Sequence, residues 1–165
     1  MSKGFWVAQE GHYLPVIPPV SAGAAQTSKR FNLANFAHAS VILMLGAAAG
    51  PIGAITVNVY QAETGGAGGA MPYRIFKQEA GAAPFDVLSA YSTQTASGYT
   101  PAADAANAAY VIEFDAQELL AANNGTYVEV DIAVGSMGTA AQLLAALAIL
   151  SGGRNMSDQQ ASAQI

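Results

Sequence analysis

Apolar and polar residues alternate with a period of two in several short segments, and this spacing restricts each segment to a half-buried β-strand. The alternation runs through Ile55–Gln61, Tyr110–Asp115 and Tyr127–Ile132. The residues predicted to face the core are Ile55, Val57, Val59, Ile112, Phe114, Val128, Val130 and Ile132. The acidic residues between them, Glu113, Asp115, Glu129 and Asp131, are expected on solvated outer faces.

Other strands are predicted where short apolar runs end near glycine or proline. These runs are Ala39–Leu45, Tyr73–Gln78 and Phe85–Thr95. We expect Ala39–Leu45 to form a hairpin with Ile55–Gln61. The glycines of Gly65–Gly69 have the composition of a hairpin tip and lack the lysine that a phosphate-binding loop requires.

Two segments bear on helix content. Asp115 is predicted to cap a short helix over Ala116–Ala122, with Glu118 as its capping-box partner. Gln142–Leu150 is ambiguous, because leucine and alanine favour a helix whereas its place after a hairpin-like loop favours a strand that closes the sheet, and we favour the strand. Short strands about ten residues apart predict a mainly β fold, an antiparallel β-sandwich or jelly-roll-like domain.

The chain divides into an extended N-terminal arm (1–30), a β-sandwich domain (31–153) and a C-terminal tail (154–165). Prolines at 15, 18 and 19 favour an extended course in the arm. The arm either crosses a neighbouring protein or covers the edge of the domain's own core. Residues expected to make protein contacts are Phe5, Trp6, Tyr13, Leu14, Pro15, Ile17 and Pro18 in the arm and Arg154, Met156 and Ile165 in the tail. Deletion of residues 1–20 is expected to leave a folded domain.

The composition excludes several partners. Only six Lys and Arg residues are present and the net charge is −5, so no basic stripe can neutralise a nucleic-acid backbone. The absence of cysteine excludes disulfides and thiolate metal sites. The uncharged stretches 31–62 and 132–153 are interrupted by glycine, proline or polar residues, so no membrane span is expected. Only 10% of residues are charged, against about 25% in typical soluble domains, and this favours a subunit of a protein assembly.

Few residues could support chemistry. His12 lies in the arm and His38 begins an apolar strand, and neither belongs to a nucleophile motif. We expect His38 to be bonded to the backbone at a strand edge. The carboxylates match no calcium loop. The sequence therefore predicts no catalytic residue, no cofactor and no metal.

Three stretches stand out by their order and spacing: Phe31–Ala39, Val111–Leu119 and Ala148–Arg154, the last followed by a short polar tail. Together they resemble small structural proteins of tailed-bacteriophage and prophage head modules. The resemblance is to capsid decoration (cement) or minor capsid proteins. It implies a β-rich homo-oligomer, a trimer by preference, on the capsid exterior after assembly in the host cytoplasm. The implied partner is the major capsid protein, which the bound subunits reinforce.

Two alternatives remain open from the residues. One is a tail or fibre component, or a receptor-binding sandwich, with an acidic or aromatic ligand face such as Tyr91, Tyr99 and Tyr110. The other is a carbohydrate- or calcium-binding module unrelated to viruses.

Overall fold

The computed structural model arranges the chain in two antiparallel sheets and describes residues 11–46, 52–78, 88–101, 107–134 and 142–153. The strands are β1 (His12–Ala22), β2 (Gln26–Thr27), β3 (Phe31–Asn32), β4 (His38–Leu45), β5 (Ile52–Tyr60), β6 (Gly69–Met71), β7 (Tyr73–Gln78), β8 (Ser92–Gln94), β9 (Ala109–Asp115), β10 (Tyr127–Val134) and β11 (Gln142–Ser151). One helix, α1 (Ala116–Asn123), follows β9 within the described residues. The predicted mainly β fold is confirmed.

The first sheet has six strands in the order β1-β11-β4-β9-β7-β8, and the second contains β2-β10-β5-β6 with β3 paired to β10. The inner faces share one hydrophobic core, consistent with a β-sandwich. The eight residues predicted to face inward from the alternating segments are all buried, at 2% exposure or less. The jelly-roll connectivity stays a prediction.

The prediction that Ala39–Leu45 and Ile55–Gln61 form a hairpin is wrong. Strand β4 pairs with β11 and β9 in the first sheet, whereas β5 pairs with β10 and β6 in the second. Alternation shows which side of a strand is buried but not which strand lies beside it, so consecutive strands of a sandwich can enter opposite sheets. The predicted hairpin tip at Gly65–Gly69 does lie between paired strands, since β5 pairs with β6.

The boundary of the predicted arm needs correction, because residues 12–30 belong to the folded domain. Strand β1 pairs with β11, and the chain then enters the second sheet as β2. Leu14, Val16 and Ile17 are buried in the core. Proline removes a backbone donor but is tolerated at the edge of a sheet, and β1 is an edge strand. The ladder shifts register between Pro15 and Ile17 and again between Ile17 and Val20, where the prolines interrupt it.

Three other segments also test the sequence predictions. The ambiguous Gln142–Leu150 segment is a strand, β11, with a partner on each side. The helix after Asp115 is present, and the Glu118 carboxylate accepts the Asp115 backbone N–H at 2.7 Å as a capping box requires. In the described part of the strand predicted over Phe85–Thr95, the strand is Ser92–Gln94, β8. Before β8, the Ser89 backbone N–H donates to the Lys77 carbonyl oxygen at 2.8 Å, whereas the Lys77 N–H donates to the Ser89 hydroxyl, so a side chain takes the place of one backbone acceptor there. Residues 85–87 lie outside the described part of the chain.

Candidate functional site: the outer face of the six-stranded sheet

The outer face of the six-stranded sheet is built from the strand positions that alternate with the core residues. Because neighbouring strands are in register, these side chains form rows that run across the sheet. The central row crosses five strands and consists of Pro15, Leu147, Ile42, Val111 and Phe76. Each of its members is apolar.

Apolar residues also flank the central row. Ala145, Met44 and Ala109 lie on one side of it, and Ile149 on the other. We call this surface the apolar band and define it as Pro15, Ile42, Met44, Phe76, Ala109, Val111, Leu143, Ala145, Leu147 and Ile149. Met44 is 51% exposed and Leu143 is 56% exposed, which is unusual for side chains of this size. An antiparallel sheet that faces water normally carries polar residues at such positions.

A surface hollow of about 310 Å³ continues the band toward the edge of the sheet. Its lining includes Pro19, Val20, Met44, Gly46, Leu143 and Ala145. At the opposite edge, the ring of Tyr91 packs against Phe76 with centroids 5.8 Å apart. The apolar surface therefore extends from β1 to the segment before β8.

A polar cluster begins in the row next to the central row, where Ser40, Glu113 and Arg74 continue the row of Ile149, and it extends to one end of the same face. We define it as His38, Ser40, Arg74, Glu113, Asp115 and Glu118. His38 Nδ1 lies 2.8 Å from Asp115 Oδ1, and His38 Nε2 lies 3.2 Å from Ser40 Oγ. Arg74 donates to Asp115 at 3.0 Å and to Glu118 at 3.1 Å. The hydrogen bond from His38, with the Arg74 guanidinium, holds the pKa of Asp115 below its usual value.

The order Asp115, His38, Ser40 is that of a nucleophilic relay, but the surroundings of Ser40 do not suit acyl transfer. Strand β4 is paired on both sides, so the backbone N–H groups around Ser40 are engaged in the ladders and cannot form an oxyanion hole. Ser40 Oγ also lies 3.3 Å from a carboxylate oxygen of Glu113. We interpret the cluster as an ion and hydrogen-bond network. The expectation that His38 bonds to the backbone is wrong, because its ring nitrogens contact side chains.

The predicted contact residues of the arm do not form one surface. Leu14 and Ile17 are buried in the core, whereas Pro15 and Pro18 are exposed on β1. Tyr13 is half-buried and lies opposite Ile149. The remaining predicted contact residues, Phe5, Trp6, Arg154, Met156 and Ile165, lie outside the described residues.

The other predicted surfaces are also changed by packing. Tyr110 is fully buried and Tyr99 packs on it with ring centroids 5.8 Å apart, so the suggested aromatic ligand face does not form. Glu129 is not freely solvated, because it pairs with Arg30 at 3.1 Å and accepts the Tyr60 hydroxyl at 2.7 Å. Desolvation and this carboxylate raise the pKa of Tyr60.

Sequence reasoning missed the apolar band, although a signal was present. The runs at 41–45 and 143–150 contain no polar residue, so both faces of β4 and β11 are apolar over these positions. Such runs predict buried strands, and nothing in the sequence indicates that one of the two faces is left uncovered by the described part of the chain.

Two searches for specific features apply only to the described residues. Within them, no group of three or more His, Asp or Glu side chains is arranged to hold a metal ion. The helix found there is not long and apolar enough to cross a membrane.

Comparisons with protein-family models, with curated proteins and with solved structures find no match for this chain.

Proposed function

We propose that this chain is a virion structural protein that binds the outside of a phage capsid and reinforces contacts between major capsid subunits, as a decoration (cement) or minor capsid protein. The proposal places it on the capsid exterior, after assembly in the host cytoplasm, and as a homo-oligomer. No catalytic role, cofactor, nucleic acid or membrane is part of it.

One observation carries the proposal: the apolar band on the outer face of the six-stranded sheet. Pro15, Met44 and Leu143 are exposed, and the other members of the band are half-buried. A contiguous apolar surface that is partly open to solvent is typical of protein interaction sites. The central row contains no polar side chain, and the chain has few charges elsewhere to keep copies apart. These features support the proposal that the chain is a subunit of a protein assembly. The proposal that this assembly is a phage capsid rests on the three stretches that resemble phage head proteins.

The segments before β1 and after β11 are the proposed contacts with the shell. Phe5 and Trp6 supply the aromatic groups that interfaces favour, and Arg154, Met156 and Ile165 supply the tail contact. Leu14 and Ile17 are removed from the proposed set because the core buries them.

The experiment is reconstitution on particles that lack this protein. Purified chain is added to such particles, and bound copies are measured by quantitative mass spectrometry after density sedimentation. Saturable binding in a simple ratio to the major shell subunit supports the proposal. The Phe5→Ala/Trp6→Ala variant should bind at least about tenfold more weakly, whereas Leu120→Ala, which shortens an exposed side chain of α1, should bind normally. No binding by the folded wild-type chain would overturn the proposal.

A further inference from the structure

The chain leaves strand β11 close to the start of helix α1. Strand β11 ends at Ser151, and the Ala37 N–H lies 3.1 Å from the carbonyl oxygens of both Ser151 and Gly152. The Ala37 carbonyl oxygen in turn accepts the N–H of Ala116, the first residue of α1, at 2.9 Å. Gly152 has a φ of 65°, which lets the chain turn at this point. The residues after Gly153 therefore begin about two interstrand spacings, or roughly 10 Å, from α1.

A hollow of about 130 Å³ lies beside α1 at this end of the domain. Its lining includes the buried Leu33 and Leu119 and the 58% exposed Leu120. Ala34 and Ala116 also line it. The volume corresponds to about four water molecules, so a side chain of about four heavy atoms, such as that of methionine, fits it. An apolar side chain placed here would be removed from water together with Leu120.

The polar cluster lies between the end of β11 and this hollow. Asp115 shares a row of the sheet with Ser151 and directly precedes Ala116. Three carboxylates of the cluster face one guanidinium and one imidazole, and Asp115 and Glu118 are 48% and 41% exposed. This local excess of negative charge attracts a further cation.

The sequence after β11 carries groups that match both features. Arg154 is the first charged residue after the strand, and Met156 is the first large apolar one. An extended segment advances about 3.3 Å per residue and directs alternate side chains to the same side. Arg154 and Met156 are two positions apart, so both can face the domain, and Met156 lies about 10 Å beyond Gly153. The segment before β1 leaves the domain at the same end, but its nearest charge is that of Glu10, which the carboxylates repel.

We propose that residues 154–156 fold back on their own domain, with Arg154 beside the carboxylates of Asp115 and Glu118 and Met156 in the hollow beside α1. The occupant is a segment of the same chain because the short connection from β11 keeps its local concentration at the hollow high. The inference goes beyond the proposed function, since it concerns the isolated chain. If Arg154 and Met156 contact a shell as proposed above, binding to the shell must first release them from the domain.

The first test uses pairs of introduced thiols, because the chain has no cysteine of its own. Ala34→Cys with Ser157→Cys places one thiol at the hollow and one beside Met156 in the full chain. The equilibrium of this disulfide with glutathione should give an effective concentration at least about tenfold higher than that of Gln117→Cys with Ser157→Cys. Gln117 is the matched control, because it is exposed on the first turn of α1 and does not line the hollow.

A further change separates the proposed contact from simple proximity. Met156→Ser in the Ala34→Cys/Ser157→Cys chain should lower the effective concentration to that of the control pair, since the buried side chain is lost. Equal values for the two thiol pairs, or a disulfide that joins two chains, would overturn the proposal.

The second test uses trypsin, which cuts after Arg154, on the isolated chain. Release of residues 155–165 should be slower than from a synthetic peptide of residues 150–165, because the segment must open before it is cut. Met156→Ser should raise the cleavage rate at least about tenfold after correction for the same change in the peptide. Gln160→Ala, a change in the C-terminal tail outside the proposed contact, should leave the rate unaltered. Equal rates for wild type and Met156→Ser would overturn the proposal.

The two proposals fail separately, because neither test involves particles. A chain that shows no protection of Arg154 but still binds particles overturns the fold-back contact alone. A chain with the expected disulfide and protection that never binds particles overturns the capsid function alone.

Discussion

Tyr73 shows how one side chain holds the two sheets together. It lies on β7 of the first sheet, and its buried hydroxyl donates to the carbonyl oxygen of Ile55 on β5 of the second. The Tyr73 hydroxyl oxygen in turn accepts the Tyr99 backbone N–H at 3.0 Å. Burial raises the pKa of Tyr73 to about 12, because ionisation would place a charge in the core.

Removal of this hydroxyl should be visible in stability. Tyr73→Phe should lower the free energy of unfolding at pH 7 by about 1–2 kcal/mol, since a buried hydrogen bond is lost. The unfolded chain releases the Tyr73 proton near pH 10 and the folded chain near 12, so wild-type stability should fall as pH rises above 10. Urea denaturation of both proteins at pH 7 to 11.5 measures this. Equal losses of stability at high pH in the two proteins would contradict it.

Asp115 has the opposite pH dependence. Its pKa is lowered by the hydrogen bond from His38 and by Arg74, so it contributes stability above the unfolded value of 3.8 and loses it as pH falls through the folded value. The side chain is 48% exposed, which screens the pair. Asp115→Asn should therefore cost roughly 0.5–1 kcal/mol at pH 7. Its stability should converge on that of wild type as the pH falls below 3.8 and through the lower folded pKa. Parallel curves over this range would show that Asp115 is not stabilised by these partners.

Arg30 organises the loop after β5 from within the segment predicted as an arm. Its guanidinium donates to the carbonyl oxygens of Ala62, Glu63 and Gly65, pairs with Glu129 and lies 3.4 Å from the Tyr60 ring centroid. Lysine keeps the charge but lacks the planar fork. Arg30→Lys should cost about 1–2 kcal/mol of unfolding free energy. Lys29→Arg is the control, and a cost below about 0.3 kcal/mol for Arg30→Lys would contradict this role.

At the scale of elements, β1 separates two truncations that the sequence could not distinguish. Deletion of residues 1–10 keeps every described strand and should leave the melting temperature nearly unchanged. Deletion of residues 1–20 removes most of β1 and with it Leu14, Val16 and Ile17, whose burial contributes about 5–9 kcal/mol. This is comparable with the whole stability of a small domain.

The 1–20 deletion should therefore be unfolded or aggregated by circular dichroism and light scattering. This prediction differs from the expectation from the sequence that the 1–20 deletion leaves a folded domain, because the structure places β1 in the core. A cooperative melt for the 1–20 deletion would contradict the role of β1 as a core strand.

The extent to which the fold could be predicted follows from what each pattern encodes. Alternation identified the buried face of β5, β9 and β10, since it depends only on local spacing. Alternation does not identify which strands are neighbours. For this reason the sequence predicts a hairpin of β4 with β5 that the structure does not contain. The prolines of β1 suggested an arm because proline is excluded from central strands, but an edge strand has one side without a partner.

The candidate site was harder to predict than the fold. Ile42 and Leu147 meet only because β4 and β11 are neighbours in register, although they are 105 positions apart. The polar cluster likewise depends on the pairing of β4 with β9 and on the position of α1 after β9. Such contacts follow from topology, which the sequence pattern did not provide.

At the scale of the whole molecule, the sheet edges disfavour pairing with another strand, whereas the outer face of the six-stranded sheet is apolar. Proline and short strands limit uncontrolled edge pairing, whereas the apolar band offers one defined surface for association. Only 10% of the residues are charged, so few charges are available to keep copies of the chain apart.

The proposed capsid role is tested most directly by the copy number of the chain in density-purified particles from its source. Quantitative mass spectrometry gives this number relative to the most abundant shell protein. A decoration protein predicts one copy per shell subunit or a simple fraction of that ratio. A handful of copies per particle would indicate a tail or portal component instead, and absence from the particles would contradict a virion role altogether.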